Sequence, residues 1–286
     1  MTGTTLLPAV AGRWYPKERD ALAGLVDRLL SEARTRRTEP PVPVTALIAP
    51  HAGFAYSGAV AASAFAPLAG RRFDRVVVIG PSHYFGFSGA AVPDAGTAAY
   101  RTPLGDVPLD RDAVAALARA PGVQAGDTFF EPEHALESEL PFLQRVLHEG
   151  VPVLPVLMGG GASGDDAARV AEAIEPLRTA GTLVVVSSDF THFGPRFGYV
   201  PFTDDVPRRL RELDLSAVGA IEAGDADAFA TLVRTTGATI CGHRAIEVLL
   251  RLSSPGAARL CEYDTSGRMT GAWDHSVSYA AIEVAG

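Results

Sequence analysis

Val44-Thr45-Ala46-Leu47-Ile48-Ala49-Pro50-His51 is an apolar strand that runs straight into a histidine. The chain does this twice more. Arg75-Val76-Val77-Val78-Ile79-Gly80-Pro81-Ser82 ends at His83, and Thr182-Leu183-Val184-Val185-Val186-Ser187-Ser188-Asp189-Phe190-Thr191 ends at His192. Short apolar runs bounded by turn residues match strands buried on both faces. The segments between them show helical periodicity, which predicts an α/β layered fold, a mostly parallel central sheet flanked by helices. Residues just past the C-terminal ends of parallel strands gather in one crevice, where open α/β sheets bind ligands. Neutral imidazole is the commonest protein metal ligand. Three histidines delivered to one rim point to a metal site or an acid/base site.

The remaining elements follow from the same patterns. Leu22, Leu25, Val26, Leu29 and Leu30 predict an amphipathic helix over 16–37, with Asp20 and Asp27 on its other face. Pro40, Pro41 and Pro43 break the chain before the first strand of the sheet. A turn at Gly53–Gly58 leads into an alanine-rich helix over 57–68. Residues 84–108 have no clear period and read as a long loop or a short β excursion, often a functional feature at a strand end. Asp110 caps a helix to Arg119, and a further helix spans 138–148. The strand 151–158 contains Pro152 and Pro155, which place it near an edge or at a bulge. Helices are expected at 165–177, 205–222, 225–235 and 243–252, and final strands at 258–264 and 276–284. No internal repeat or linker interrupts the pattern, so one domain over 1–286 is expected.

Composition narrows the function classes. The chain has 286 residues, 47% hydrophobic and 20% charged, with a formal net charge of −8. That is a soluble globular balance, and it argues against nucleic acid, which needs a concentrated basic patch. Arg34, Arg36 and Arg37 form a small basic cluster that reads as a solvated helix end. No apolar run approaches the roughly 20 residues of a membrane span, and no signal peptide is visible. The cytoplasm is the expected location, where the two cysteines, Cys241 and Cys261, are not expected to pair.

The candidate site residues are few. A histidine after a strand is more often a structural residue than a ligand, but His51 and His83 repeat one design. Asp189 stands three residues before His192 and could fix its tautomer or complete a metal shell. Ser188 lacks the Gly-x-Ser-x-Gly elbow of a serine hydrolase. His134 and Glu137 are spaced to share a helix face, as ligands or as a surface pair. Cys241 precedes a helix, where a thiol pKa is lowered and a thiolate becomes a good ligand or nucleophile. Gly242 favours its exposure, and His243 ranks behind it. Cys261 fits a small apolar strand residue.

In combination these segments resemble the Memo family, whose members share the class III extradiol dioxygenase fold of the LigB type. The matching stretches are Ala11-Gly12-Arg13-Trp14-Tyr15, Ala49-Pro50-His51-Ala52-Gly53, Gly80-Pro81-Ser82-His83, Tyr100-Arg101-Thr102-Pro103-Leu104-Gly105, Glu133-His134-Ala135-Leu136-Glu137, Leu140-Pro141-Phe142, Ser187-Ser188-Asp189-Phe190-Thr191-His192, Ile240-Cys241-Gly242 and Ser276-Val277-Ser278-Tyr279-Ala280-Ala281. Each is weak alone. Their order over nearly the whole chain is specific.

The resemblance implies metal ligands at His51, His83 and Cys241, an acid/base role for His192 and a place beside the pocket for Asp189. His134 lies in a further shared motif and, with Trp14, Tyr56 and Tyr84, is expected to line a small-molecule site. The cysteine replaces the carboxylate of the two-histidine dioxygenase centre, and thiolate adds affinity for Cu(I) or zinc as well as iron. Fe(II) or Cu(I) is therefore the expected cofactor, with zinc a further candidate. Ring cleavage does not follow, since chemistry belongs to the site and not the fold. The prokaryotic branch, the AmmeMemoRadiSam system protein B group, implies an AMMECR1-domain protein and a radical SAM protein as partners. Animal members are described as signalling adaptors and as handlers of copper or iron. Three classes follow: a redox enzyme acting on an unknown small substrate, a non-catalytic metal-binding or adaptor protein, and a zinc-dependent hydrolase.

Overall fold

The computed structural model describes residues 3–38, 42–253 and 257–286. A short strand β1 (Thr4–Leu6) precedes helix α1 (Arg19–Arg36). Strand β2 (Val44–Ala49), helix α2 (Phe54–Phe65) and strand β3 (Arg75–Pro81) follow. Next come β4 (Ala90–Val92), β5 (Thr97–Thr102), β6 (Gly105–Pro108), α3 (Arg111–Leu117), β7 (Val123–Ala125) and α4 (Leu140–Val146). Then β8 (Val153–Met158), α5 (Gly164–Ile174), β9 (Thr182–Ser187) and β10 (His192–Phe193) lead to α6 (Val206–Ala223), α7 (Ala226–Thr236) and α8 (His243–Leu252). The chain closes with β11 (Ala258–Thr265), α9 (Ser266–Thr270) and β12 (Ser276–Ala285).

The main sheet runs in the order β10-β12-β2-β9-β3-β8-β4-β7, with β11 also paired to β12. Its centre, β2, β9, β3 and β8, is parallel, while β12 and β4 flank that centre antiparallel. Successive side chains of the central strands enter opposite cores. Leu47, Val76, Val78, Leu183 and Val185 pack into one cluster with α1, α2 and α4. Ile48, Val77, Ile79, Val184 and Val186 pack into the other with α5 to α8. Both faces of each strand are covered, so the apolar runs are continuous. Each such side chain contributes about 1.5–3 kcal/mol on full burial. Strand β9 lies between β2 and β3, with Ala49 in register with Ser187 and Ile79 with Val186. Its C-terminal end therefore sits between the two loops that carry His51 and His83.

Several expectations change. Strand β8 is interior, between β3 and β4. It tolerates Pro155 because that residue opposes Val78 on β3, and the pairing with β4 begins only at Leu157. Of the two readings of 84–108 the β excursion holds, as three short strands within it; β4 extends the main sheet, and β5 and β6 join β1 in a second one. Helix α2 starts at Phe54 and runs through Gly58, where a Cβ would come within 3.0 Å of Leu29 Cδ1. The end of α1 is not merely solvated. Arg36 reaches Glu262 at 2.9 Å, and Arg37 reaches the buried Glu283 at 2.9 Å. The break assigned to Pro40 and Pro41 lies outside the described residues. No helix among the described residues is long and apolar enough to cross a membrane.

Candidate metal centre

The loop after β2 carries His51, which is buried. Its backbone N–H donates to Asp189 Oδ1 at 2.9 Å, and the Ala52 N–H donates to the same oxygen at 3.3 Å. The ring's Nδ1 meets Ser187 Oγ at 2.8 Å, and its Nε2 lies 3.3 Å from Cys241 Sγ. Burial first, and the neighbouring histidines next, hold the His51 pKa well below its ordinary value, so the ring is neutral.

His83 follows β3 and is fixed at two points. Its N–H donates to Glu133 Oε2 at 2.6 Å, and its Nδ1 lies 2.9 Å from Glu133 Oε1. Glu133 also accepts the N–H groups of His134 and Ala135, so its carboxylate is saturated by donors. Burial alone pulls the His83 pKa down, but contacts to Cys241 and Glu133 outweigh it and raise the value to about 10. In the absence of a cation, His83 holds a proton between two acceptors.

Cys241 enters from the turn before α8. Its Sγ accepts the Asp189 N–H at 3.2 Å. Gly242 behind it is required by close approach, since a Cβ there would lie 2.5 Å from Ser188 Cβ. Sequence position predicts a lowered thiol pKa, yet the thiol is held above its ordinary value. Burial is the main cause and the Asp189 charge adds to it, while the His83 contact pulls the other way. A bound cation would displace the thiol proton, as ligation requires thiolate.

One ligand atom each from His51, His83 and Cys241 fall within 4.8 Å of one another. The donor chemistry fits a thiophilic or borderline metal. Each imidazole has Nδ1 engaged by an oxygen, which leaves Nε2 for the ion, the usual arrangement of ligating histidines.

His134 lies against this group. Its ring stacks on His83, with centroids 4.6 Å apart and planes 16° from parallel. Trp14 meets it edge-on at 4.1 Å, and Tyr84 at 6.4 Å. Its Nδ1 is buried, 3.4 Å from Glu133 Oε1, without a hydrogen-bond partner among the described residues. Burial and the His83 charge lower its pKa to about 4, so it is a neutral ring. His134 and Glu137 do not act as a pair. Glu137 turns to the N-terminal arm, where it accepts the N–H of Ala9 at 2.6 Å, the N–H of Val10 at 3.1 Å and the Tyr15 hydroxyl. That clamp helps to seat Trp14, the residue before Tyr15, beside His134. Tyr56 is 46% exposed on the first turn of α2, with no ring contact to the site histidines among the described residues.

His192 stands at the start of β10. Its Nδ1 lies 3.1 Å from the Thr239 carbonyl, which can only accept, so Nδ1 carries a proton and the lone pair of the neutral ring falls on Nε2. Thr239, not Asp189, thus fixes its tautomer. The Asp189 carboxylate instead organises the His51 loop. It is buried, which raises its pKa. Ser188 is structural: its hydroxyl donates to the Asp189 carbonyl at 2.8 Å and accepts from Gly242 N at 3.0 Å. His243 points its Nδ1 back to the Ile240 carbonyl at 2.9 Å and stays out of the cluster.

A Memo-like protein family model matches residues 7–283. The chain belongs to the Memo family. A MEMO1 family protein of Methanopyrus kandleri is 32% identical over 96% of this chain and 97% of its own length. The Protein MEMO1 of Xenopus tropicalis is 31% identical over 95% and 94%, and the Protein memo-1 homolog of Caenorhabditis elegans is 32% identical over 95% and 80%. An uncharacterized protein of Escherichia coli K12 superposes with a TM-score of 0.52 at 12% identity, covering 84% of this chain and 99% of its own. That likeness shows the α/β fold alone. Ser187, Glu133, Glu139 and Thr239 support the candidate site, and the sequence alone does not single them out. Glu133 lay inside a quoted motif, whereas Glu139 carried no signal beyond a charge at the edge of an apolar helix.

The cavities lie elsewhere. A cavity of about 360 Å³ lies at the opposite end of the sheet, beside Val76 and Val153 where β3 and β8 begin. Its Arg145 is partly exposed and already paired with Asp27. The cluster at the C-terminal ends is favoured because its donors converge and His51, at its floor, is buried.

Proposed function

We propose that this Memo protein is a metal-dependent oxidoreductase, holding Fe(II) or Cu(I) on His51, His83 and Cys241 and acting on a small molecule. The observation that supports it best is the approach of those three donor atoms to within 4.8 Å, with Ser187 and Glu133 behind the two imidazoles. The bound ion would supply redox and Lewis-acid chemistry.

The chain's own residues do the rest. Asp189 holds the His51 loop and donates its N–H to the thiolate. His134, neutral and partly walled by Trp14, offers an unpaired ring nitrogen close to the ligands. His192 Nε2 is a proton acceptor whose opposite nitrogen is fixed by Thr239, the arrangement a general base needs. An AMMECR1-domain protein and a radical SAM protein are the proposed partners, and the cytoplasm the proposed location. The second reading, metal binding without turnover, uses the same ligands.

Anaerobic purification followed by iron, copper and zinc analysis tests the proposal. Near-stoichiometric iron or copper with substrate-dependent oxygen uptake supports the enzyme. Tight Cu(I) without oxygen uptake supports the binding protein. Zinc with oxygen-insensitive activity, or full metal content in His51→Ala, His83→Ala and Cys241→Ser, overturns the proposal.

A further inference from the structure

Ser187 Oγ has three oxygen or nitrogen neighbours at hydrogen-bonding distance: His51 Nδ1 at 2.8 Å, the Ala135 carbonyl at 2.7 Å and Glu139 Oε1 at 2.7 Å. A hydroxyl has one proton to give and two lone pairs. The Ala135 carbonyl can only accept, so the Ser187 proton goes to it. The other two neighbours must then donate. His51 therefore carries its proton on Nδ1, and Glu139 carries one on Oε1.

The surroundings of Glu139 agree. The residue is fully buried, and its Oε2 has no hydrogen-bond partner among the described residues. No cation pairs with it among the described residues. A buried carboxylate left with one oxygen bare would carry the full cost of desolvation, and a neutral acid avoids most of it. Burial, with the charge of Asp189 adding to it, also holds the Glu139 pKa well above the ordinary carboxylate range.

We infer that Glu139 is a neutral carboxylic acid that donates to Ser187 and, through that hydroxyl, locks His51 in the tautomer with Nε2 bare toward Cys241. Glu139 is a positioning residue, at one remove from His51. Its value to a metal centre rests on the reading above, but its protonation and the His51 tautomer do not.

The test uses the full chain without metal. Infrared spectra at neutral pH should show the carbonyl stretch of a protonated acid that disappears in Glu139→Gln. In the same preparation, nitrogen NMR of labelled histidine should show His51 protonated at Nδ1 only. Absence of the infrared difference, or a proton on His51 Nε2, overturns the inference whether or not metal binds. The wild-type NMR measurement stands even where a variant fails to fold. With metal, Glu139→Gln keeps an N–H donor toward Ser187 and should retain affinity, whereas Glu139→Met should lose about tenfold. Equal losses in both folded variants would overturn the donor role. Correct spectra in a protein that binds no iron, copper or zinc would leave this inference standing and remove the proposed metal function.

Discussion

Cys241 and Cys261 are both half-buried, and burial raises the pKa of each, that of Cys261 to about 12. Their neighbours differ. Around Cys241 stand His51 and His83, whose rings can each offer a lone pair, and a backbone N–H from Asp189. Around Cys261 stand Arg37 and Arg259, both bonded to the buried Glu283. Guanidinium has no lone pair and does not deprotonate in proteins. The Cys261 region is therefore an ion-pair cluster that joins the end of α1 to the β11–β12 pair. The Cys241 region gathers donors that can each give an electron pair to a cation once the His83 and thiol protons leave. A thiol beside buried charge is not enough for a metal site. What matters is how many neighbours have an uncommitted pair of electrons.

That contrast can be broken most directly at the thiols. Cys241→Ser should lose bound metal by more than the roughly 10–100-fold that follows loss of an outer partner, while Cys261→Ser keeps full content. Metal analysis of the two variants side by side decides it, and equal losses would erase the distinction. Next in size, Glu133→Gln should weaken metal binding about 10–100-fold, because His83 loses the carboxylate that orients it. Competition with a chelator of known affinity would measure this. On the other side, Arg37→Met should leave metal content untouched and destabilise the fold by roughly 2 kcal/mol. That is less than the loss of a lone buried partner, because Arg259 still faces Glu283. Denaturant midpoints report it. The smallest effect is on pH. Burial raises the Glu283 pKa, but Arg37 and Arg259 outweigh it and leave the value below 4.5. A depressed carboxylate contributes stability that is present above its unfolded pKa and lost as pH falls through the folded one. Acid unfolding below about pH 4.5 should thus be less steep in Glu283→Gln.

Much of this was legible in the chain. The central strands stood out because both faces are buried, and the helices because one face is. The segment 84–108 does not resolve into β4, β5 and β6, since strands of three to six residues are too short to show a period. The prolines of β8 misled because a proline is excluded only where a neighbour needs its N–H, and β4 does not reach Pro155. His51, His83 and Cys241 could be named from order and resemblance. Their supports could not.

The sequence by itself determined the alternation of strand and helix, the delivery of histidines to strand ends and membership of the Memo family. These depend on local pattern and motif order, which the linear chain carries in full. The tertiary structure alone decided which oxygen fixes which ring: Ser187 behind His51, Glu133 behind His83, Thr239 behind His192. It also buried the Glu139 carboxyl with Ser187 as its single hydrogen-bond partner among the described residues. Glu133 lies 50 residues from His83, and Ser187 lies 136 from His51. Only the order of strands in the sheet, with β9 between β2 and β3, brings such partners within 3 Å and settles where each proton resides.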